Sequence, residues 1–320
     1  MGEFELIRRY FQRQRPARAD VPLGIGDDCA LLQPAPGQQL AVSTDMLVEG
    51  RHFLSTVDPA ALGHKALAVN LSDLAAMGAE PLGFTLALAL PQADEAWLAG
   101  FAHGLFELAD AHGCELVGGD TTRGPLNLCI TVLGQVPPGQ ALRRAAAQVG
   151  DDIYVSGQLG DARLALEVFR GAVALDAAAF GRVRARLERP TPRLALGLAL
   201  RGVAHAAADV SDGLSGDLGH ILRASGVGAQ LHGEALLSTC SADLRGRGET
   251  HALTCALSGG DDYELVFTAP PTARAAVQAA AAQVGTPVTR IGRITAQPGL
   301  RVVNASGQAM ARPASFDHFA

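Results

Sequence analysis

Aspartates recur in this sequence within short segments rich in glycine, serine and threonine. The segments are GIGDDCA (Asp27, Asp28), VSTDML (Asp45), VNLSDLAAMG (Asp73), LVGGDTT (Asp120), ADVSDGL (Asp209, Asp212) and LSGGDDYEL (Asp261, Asp262). Carboxylates that are gathered in one place repel each other, and a hard cation such as Mg²⁺ offsets that repulsion through oxygen ligands and bound phosphates. Aspartate beside glycine is also a common turn or helix-cap choice. The repetition as runs and pairs favours metal-bridged phosphate binding.

Asp73 fits the turn interpretation least well. It lies in the helical stretch GHKALAVNLSDLAAMG, where Lys65, Val69 and Asp73 share one face at a spacing of four. The opposite face of this helix consists of alanine and leucine, and an aspartate in such a helix is costly without a partner. Pairing with Lys65 depends on geometry, so a metal ion is the better interpretation.

Composition excludes several classes of protein. The chain has 320 residues and a net charge of −6, which argues against nucleic acid as a main partner. Lys65 is the only lysine, and no GxxxxGK[ST] phosphate loop occurs. The five cysteines are separated and never form C-x-x-C, so we expect reduced thiols in a cytoplasmic protein. We find no secretory signal and no apolar run long enough to span a membrane.

The elements that must position these residues divide into two halves. In the first, the pattern predicts helices over 1–15, 59–77 and 94–112, with strands at 30–32, 40–43, 84–90, 115–117 and 128–135. In the second, it predicts strands at 153–156, 206–210, 228–231, 264–268, 289–294 and 301–303. It predicts helices near 162–169, 182–187, 194–202, 213–224 and 272–283, and no element over 233–258. Because strict βαβ alternation is absent, we predict two α+β domains, 1–140 and 141–320.

Several of these motifs together resemble one known family. GIGDDCALL, STDMLVEGRHF, KALAVNLSDLAAMGAEP, LVGGDTTRGPL, RPTPR, DVSDGLSGDLGHI and LSGGDDYEL occur in the order that is typical of thiamine-monophosphate kinases, a branch of the AIR synthetase-like superfamily. The resemblance implies a two-domain α+β fold, with homodimers in which the sheets of the N-terminal domains pair. It also implies ATP and several Mg²⁺ ions in the cleft between the domains, and phosphoryl transfer from ATP to thiamine monophosphate.

The resemblance also implies roles for individual residues. Those matching magnesium ligands are Asp28, Ser43, Thr44, Asp45, Asp73, Asp120, Asp209 and Asp212. Those matching nucleotide contacts are Gly119, Asp120, Arg144 and Ser211. Those matching substrate contacts are His52, Asp261 and Phe316. The acceptor is itself a phosphate, so no catalytic base or covalent nucleophile is expected; positioning and charge neutralisation carry the reaction.

Two departures from the family pattern affect the substrate pocket. The motif that often reads GGEDY is GGDDY here, and Phe316 stands where Trp or Tyr is common. Two alternatives remain open. One is another AIR synthetase-like enzyme, such as an aminoimidazole ribonucleotide synthetase, a hydrogenase-maturation relative or a selenophosphate synthetase. The other is a scaffold that binds ATP without turnover.

Overall fold

A computed structural model describes residues 2–13 and 18–310 of the chain. The chain divides into two compact units. The first comprises the residues up to Leu74 together with Ala79–Gly139, and the second comprises Ala75–Gly78 and the residues from Gln140 onward. No helix in the described ranges is long and apolar enough to cross a membrane. Each unit combines one sheet with helices, so the fold is α+β.

The first unit is built on a four-stranded sheet of order β1-β4-β2-β3. Its elements are α1 (Glu3–Leu6, continuing as a π-helix over Ile7–Phe11), β1 (Gln39–Val48), α2 (Pro59–Ala76), β2 (Glu80–Leu90), α3 (Glu95–Ala111), β3 (Glu115–Arg123) and β4 (Asn127–Val136). The pairs β1–β4 and β4–β2 are antiparallel, and β2–β3 is parallel. One face of this sheet buries Leu128, Ile130 and Val132 and contacts α2.

Residues that commonly cap helices lie at both ends of helix α2. The Asp58 carboxylate accepts a hydrogen bond from the Ala61 amide at 3.0 Å, which caps the first turn. At the other end Gly78 has φ of +61°, a conformation that glycine adopts without strain. Helix α3 crosses α2 closely at Gly104, where an added Cβ would lie 1.8 Å from the Ala60 carbonyl oxygen. A side chain at that position would separate the two helices.

The second unit contains a six-stranded sheet of order β10-β7-β9-β5-β8-β6. Its strands are β5 (Asp152–Ser156), β6 (Ala206–Asp209), β7 (Gly228–His232), β8 (Leu265–Ala269), β9 (Val288–Thr295) and β10 (Gly299–Val303). Its helices are α4 (Asp161–Phe169), α5 (Ala177–Glu188), α6 (Leu194–Ala199), α7 (Leu214–Ser225), α8 (Gly233–Ser238), α9 (Ala242–Arg245), α10 (Glu249–Ser258) and α11 (Arg274–Gln283). Neighbouring strands are antiparallel except β10–β7.

Two expectations about local structure need correction. Residues 30–32 form no strand; the segment makes only an isolated bridge between Leu31 and Leu23, because no strand lies beside it to continue the pairing. The unassigned stretch 233–258 folds into α8, α9 and α10. These helices bury Leu236, Leu244 and Ala252, but each piece is too short for a helical repeat of apolar residues to stand out.

Candidate active site

Strand β1 and helix α2 bring three predicted magnesium ligands together. The Ser43 hydroxyl donates to Asp73 Oδ2 at 2.5 Å, which joins the strand directly to the helix. The Asp45 amide donates to Asn70 Oδ1 at 3.0 Å, one turn earlier on α2. Ser43, Asp45 and Asp73 are all partly exposed, so their oxygens line a surface that a ligand can reach. Asp73 of α2 thus contacts the face of β1 that also carries Asp45.

A second group lies on the opposite face of the same sheet. A cavity of about 950 Å³ is lined by Asp28, Gly119 and Asp120, together with residues of α1 and β2. Gly119 has φ of +144°, and a Cβ there would lie 1.9 Å from the Leu86 carbonyl oxygen, so the position requires glycine. Asp28 and Asp120 are both exposed. The cavity therefore combines these two carboxylates with apolar side chains such as Leu86 and Leu116.

Strand register separates these two groups. Asp45 pairs with Ile130, which pairs with Leu86, and this row faces α2. Asp120 pairs with Ala87, which pairs with Cys129 on the other face. Within this unit, the structure therefore brings Ser43, Asp45 and Asp73 together and places Asp120 apart from them.

Thr44 points away from its two neighbours. Side chains alternate across a strand, and the Thr44 hydroxyl lies 2.8 Å from that of Thr131, on the face opposite Ser43 and Asp45. The predicted ligand set of β1 is therefore divided between the two faces of the sheet.

The only lysine of the chain supports the loop of His52. Lys65 is 2% exposed, and its ammonium group donates to the His52 carbonyl at 3.1 Å. The His52 ring accepts a hydrogen bond from the Val48 amide through Nδ1 at 3.0 Å, which places the proton of the neutral ring on Nε2. His52 is partly exposed, so the predicted substrate contact lies at the surface on a turn that these hydrogen bonds hold.

In the second unit, strand β6 leads directly into the predicted nucleotide and metal residues. Asp209 is the last residue of the strand and is 5% exposed, while Ser211 and Asp212 are partly exposed. Asp217 of α7 accepts from the amides of Ser211 and Asp212, both at 3.1 Å. The loop after β6 is therefore fixed by a carboxylate from the helix that follows it.

Electrostatics distinguish Asp217 from an ordinary surface aspartate. Burial raises the pKa of Asp217 to about 7, with a further contribution from the charge of Asp212. The two amide hydrogen bonds and the Arg144 guanidinium act in the opposite direction. Arg144 itself is exposed and opens a short 3₁₀ helix, and its carbonyl accepts from Ser225 Oγ at 2.8 Å. The predicted nucleotide contact Arg144 thus lies close to the loop that carries Ser211.

The LSGGDDYEL motif contains acidic residues with different surroundings. Asp261 is partly exposed, whereas Asp262 is fully buried and accepts from the Gly160 amide at 2.9 and 3.0 Å. Burial raises the pKa of Asp262 well above its ordinary value. Glu264 is also buried and accepts from Ser156, Arg186 and Arg193 at 2.6–2.7 Å. Phe316, the remaining predicted substrate contact, lies outside the described residues.

Sequence reasoning missed residues that support the site without facing it. Asn70 accepts a hydrogen bond from the backbone amide of Asp45. The sequence feature that indicates this role is the position of Asn70 three residues before Asp73 on the same helix. Asp217 accepts hydrogen bonds from the loop after β6. The sequence feature that indicates this role is its position in the first turn of α7. Both are polar residues at partly or fully buried positions, where a hydrogen-bond partner is expected.

Comparison with known proteins places the whole chain in one family. The family model for the AIR synthase related protein N-terminal domain matches residues 26–136, and the C-terminal domain model matches residues 148–304. The thiamine-monophosphate kinase of Salmonella typhimurium is 50% identical over 322 residues, which cover 100% of this chain and 98% of that protein.

Solved structures give the same result. The thiamine-monophosphate kinase of Stenotrophomonas maltophilia K279a has a TM-score of 0.85 and 52% identity, covering 92% of this chain and 93% of that one. AaThiL complexed with AMPPCP and TMP has a TM-score of 0.78 and 30% identity, covering 90% and 89%. These matches confirm the two-domain AIR synthetase-like α+β fold, and the chain belongs to the thiamine-monophosphate kinase family.

Proposed function

We propose that the protein transfers the γ-phosphoryl group of ATP to the phosphate of thiamine monophosphate, giving thiamine diphosphate and ADP. The observation that carries this proposal is the convergence of Ser43, Asp45 and Asp73 where β1 meets α2. Relatives of this chain across its full length are thiamine-monophosphate kinases. AaThiL is complexed with AMPPCP and TMP together, which supports a reaction between two phosphate ligands.

The donor atoms of the candidate residues fit magnesium. They are carboxylate and hydroxyl oxygens, which Mg²⁺ prefers over the sulfur and imidazole ligands that suit zinc. The residues that we propose hold the ions are Asp28, Ser43, Thr44, Asp45, Asp73, Asp120, Asp209 and Asp212. When bound, Mg²⁺ neutralises phosphate charge and lowers the repulsion between two anionic substrates. The Thr44 hydroxyl lies on the face of the sheet opposite Ser43 and Asp45, the face that also carries Asp120.

The remaining candidates bind and orient the two substrates. We assign the nucleotide to Gly119, Asp120, Arg144 and Ser211, and thiamine monophosphate to His52, Asp261 and Phe316. A guanidinium offers several donors to a polyphosphate, and Arg144 is exposed beside the loop of Ser211. The Nε2–H of His52 is a donor suited to an anionic substrate.

The chemistry needs no general base from the protein. A phosphate monoester has a second pKa near 6, so the acceptor oxygen of thiamine monophosphate is ionised at neutral pH. That oxygen bonds to the γ-phosphorus as the bond from the γ-phosphorus to the bridging oxygen breaks, and ADP leaves with the electron pair. The residues of the chain contribute by holding both phosphates in line and by excluding competing orientations.

A second copy of the chain is the partner that we propose. Strand β1 exposes Leu40, Val42 and Met46 at 49%, 58% and 52% on the face opposite α2. Exposed apolar side chains that share one face of an edge strand are typical of a protein interface. Light scattering after gel filtration is expected to give the mass of a dimer, and Val42→Asp to give that of a monomer. A monomeric wild-type protein would contradict the homodimer.

We also infer a cytoplasmic location. Cys114, Cys240 and Cys255 are buried and unpaired, and burial raises the pKa of each thiol to about 12. Thiols of this kind are typical of a reducing compartment.

The test of the proposed activity is a substrate screen. Purified protein with ATP, Mg²⁺ and thiamine monophosphate is expected to give equal amounts of ADP and thiamine diphosphate, resolved by chromatography. Thiamine and adenosine monophosphate serve as control acceptors. Product from another acceptor alone would favour a different AIR synthetase-like enzyme, and ATP binding without any product would favour a non-catalytic scaffold.

A further inference from the structure

The peptide groups of Ser211 are held on both sides. Its amide donates to Asp217 Oδ2 at 3.1 Å, and its carbonyl accepts from the Asp261 amide at 2.8 Å. The Val210 carbonyl accepts from the Tyr263 amide at 2.8 Å in the same way. One residue of the loop after β6 therefore connects a buried carboxylate to the loop of Asp261.

The Asp261 loop is locked into an unusual backbone shape. Asp261 and Tyr263 have φ of 65° and 49°, which side-chain-bearing residues adopt only when their surroundings impose it. Gly260 fits against the Ser211 carbonyl, where a Cβ would come within 2.5 Å of the oxygen. The Tyr263 hydroxyl donates to Asp261 Oδ1 at 3.4 Å. These contacts make the geometry of the Asp261 loop depend on where Ser211 lies.

We propose that Asp217 is a positioning residue that sets both substrate-binding loops at once. Its carboxylate accepts hydrogen bonds from the amides of Ser211 and Asp212 and so fixes the loop after β6. Because the Ser211 carbonyl accepts from the Asp261 amide, the position of Ser211 also determines that of Asp261. This inference rests on the proposed function, which assigns Ser211 to the nucleotide and Asp261 to thiamine monophosphate. Asp217 itself is 4% exposed and touches neither ligand in this scheme.

The cost of burying Asp217 supports a specific role. A carboxylate removed from water is unfavourable unless hydrogen bonds compensate, and here the compensating donors include two successive amides of one loop. Asp152 provides a comparison within the same unit. It is 3% exposed and accepts from the Arg274 guanidinium at 2.6 Å. It pairs with Ala269, at the opposite end of β8 from Leu265, which pairs with the last residue of β6. Asp152 therefore serves as a control for the loss of a buried carboxylate remote from the two loops.

The experiment compares Asp217→Ala, Asp217→Asn and Asp152→Ala with the wild-type protein. Calorimetry measures binding of AMPPCP and of thiamine monophosphate separately in the presence of Mg²⁺, and melting temperature reports stability. Asp217→Ala is expected to weaken both ligands about 10- to 100-fold, the usual range for residues that orient ligand-binding groups. Asp217→Asn keeps an acceptor oxygen and is expected to restore most of both affinities. Asp152→Ala is expected to lower the melting temperature with both affinities unchanged.

Three other results would each contradict part of the proposal. Variants of Asp217 that lose stability like Asp152→Ala, with both affinities intact, would overturn the positioning role. Loss of AMPPCP binding alone would overturn the link from Ser211 to Asp261. Wild-type protein that binds neither ligand would overturn the proposed function, and this inference with it.

Discussion

The two units use acidic side chains in different ways. In the first unit, Asp28 and Asp120 are exposed and Asp73 is partly exposed, so their carboxylates lie where ligands can reach them. In the second unit, Asp217 and Glu264 are buried and accept hydrogen bonds that hold loops and strands. Because the second unit also carries the partly exposed Asp212 and Asp261, acidic motifs of similar appearance contain two kinds of residue: exposed ones, which we propose bind ligands, and buried ones, which hold the backbone.

The largest expected effect is on the free energy of unfolding and tests the structural role of the buried acidic side chains. Glu264→Gln leaves the guanidiniums of Arg186 and Arg193 without their shared counter-charge. Breaking a buried pair in this way costs about 3–5 kcal/mol. Denaturant unfolding is expected to show this loss. Glu188→Gln is the control, since its ion pair with Arg184 within one helix contributes only about 0.3–0.5 kcal/mol. Equal effects of the two substitutions would contradict a structural role for Glu264.

The next largest effect is on catalysis and tests the acidic side chains that are at least partly exposed. Asp73→Asn keeps the size of the side chain and an acceptor for Ser43, but removes the charge proposed to bind metal. We expect kcat/KM to fall about 100-fold, corresponding to about 2.7 kcal/mol of transition-state stabilisation. Unfolding free energy is expected to change little. Asp58→Asn, at the cap of the same helix, is the control with near wild-type turnover. Full activity of Asp73→Asn would remove Asp73 from the metal site.

The smallest expected effect is on the pH dependence of the free energy of unfolding. Burial alone would raise the pKa of Asp152, but hydrogen bonds from Arg274 and Arg290 outweigh it and hold the pKa below its ordinary value of 3.8. The folded state therefore binds this proton less readily than the unfolded chain. The resulting stability is fully present above about pH 4 and is lost as pH falls through the lower folded value.

Asp152→Asn is expected to flatten the acid limb of a plot of unfolding free energy against pH. Arg274→Gln should reproduce part of that flattening. An unchanged slope below pH 4 in both variants would contradict the contribution of Asp152.

Much of the fold followed from the sequence, for reasons visible in particular elements. The strand predicted at 128–135 is confirmed within β4, because Leu128, Ile130 and Val132 alternate cleanly with half-buried residues. Helix 59–77 is confirmed as α2, with a long alanine- and leucine-rich run that ends before Gly78. The stretch 233–258 was not predictable because its three helices depend on packing in the core of the second unit.

The candidate site was predictable in composition but not in arrangement. The cost of an aspartate within α2 pointed to Asp73, and the structure adds Ser43 as its neighbour on β1. Nothing in VSTDML distinguishes the direction of Thr44 from that of Asp45 until the strand and its register are known. Asp262 and Glu264 likewise resemble ligands in LSGGDDYEL, and only their burial shows that they support the fold.

Lys65 has a consequence for following the protein in solution. The sequence holds one lysine, and its ε-amine is packed against the carbonyl of His52. An amine-directed reagent can modify this position only when the first unit opens around α2. The rate of that modification would report the free energy of a local opening, with one labelled side chain as the signal. Modification of this buried amine therefore measures how often the structure opens around Lys65 and the turn of His52.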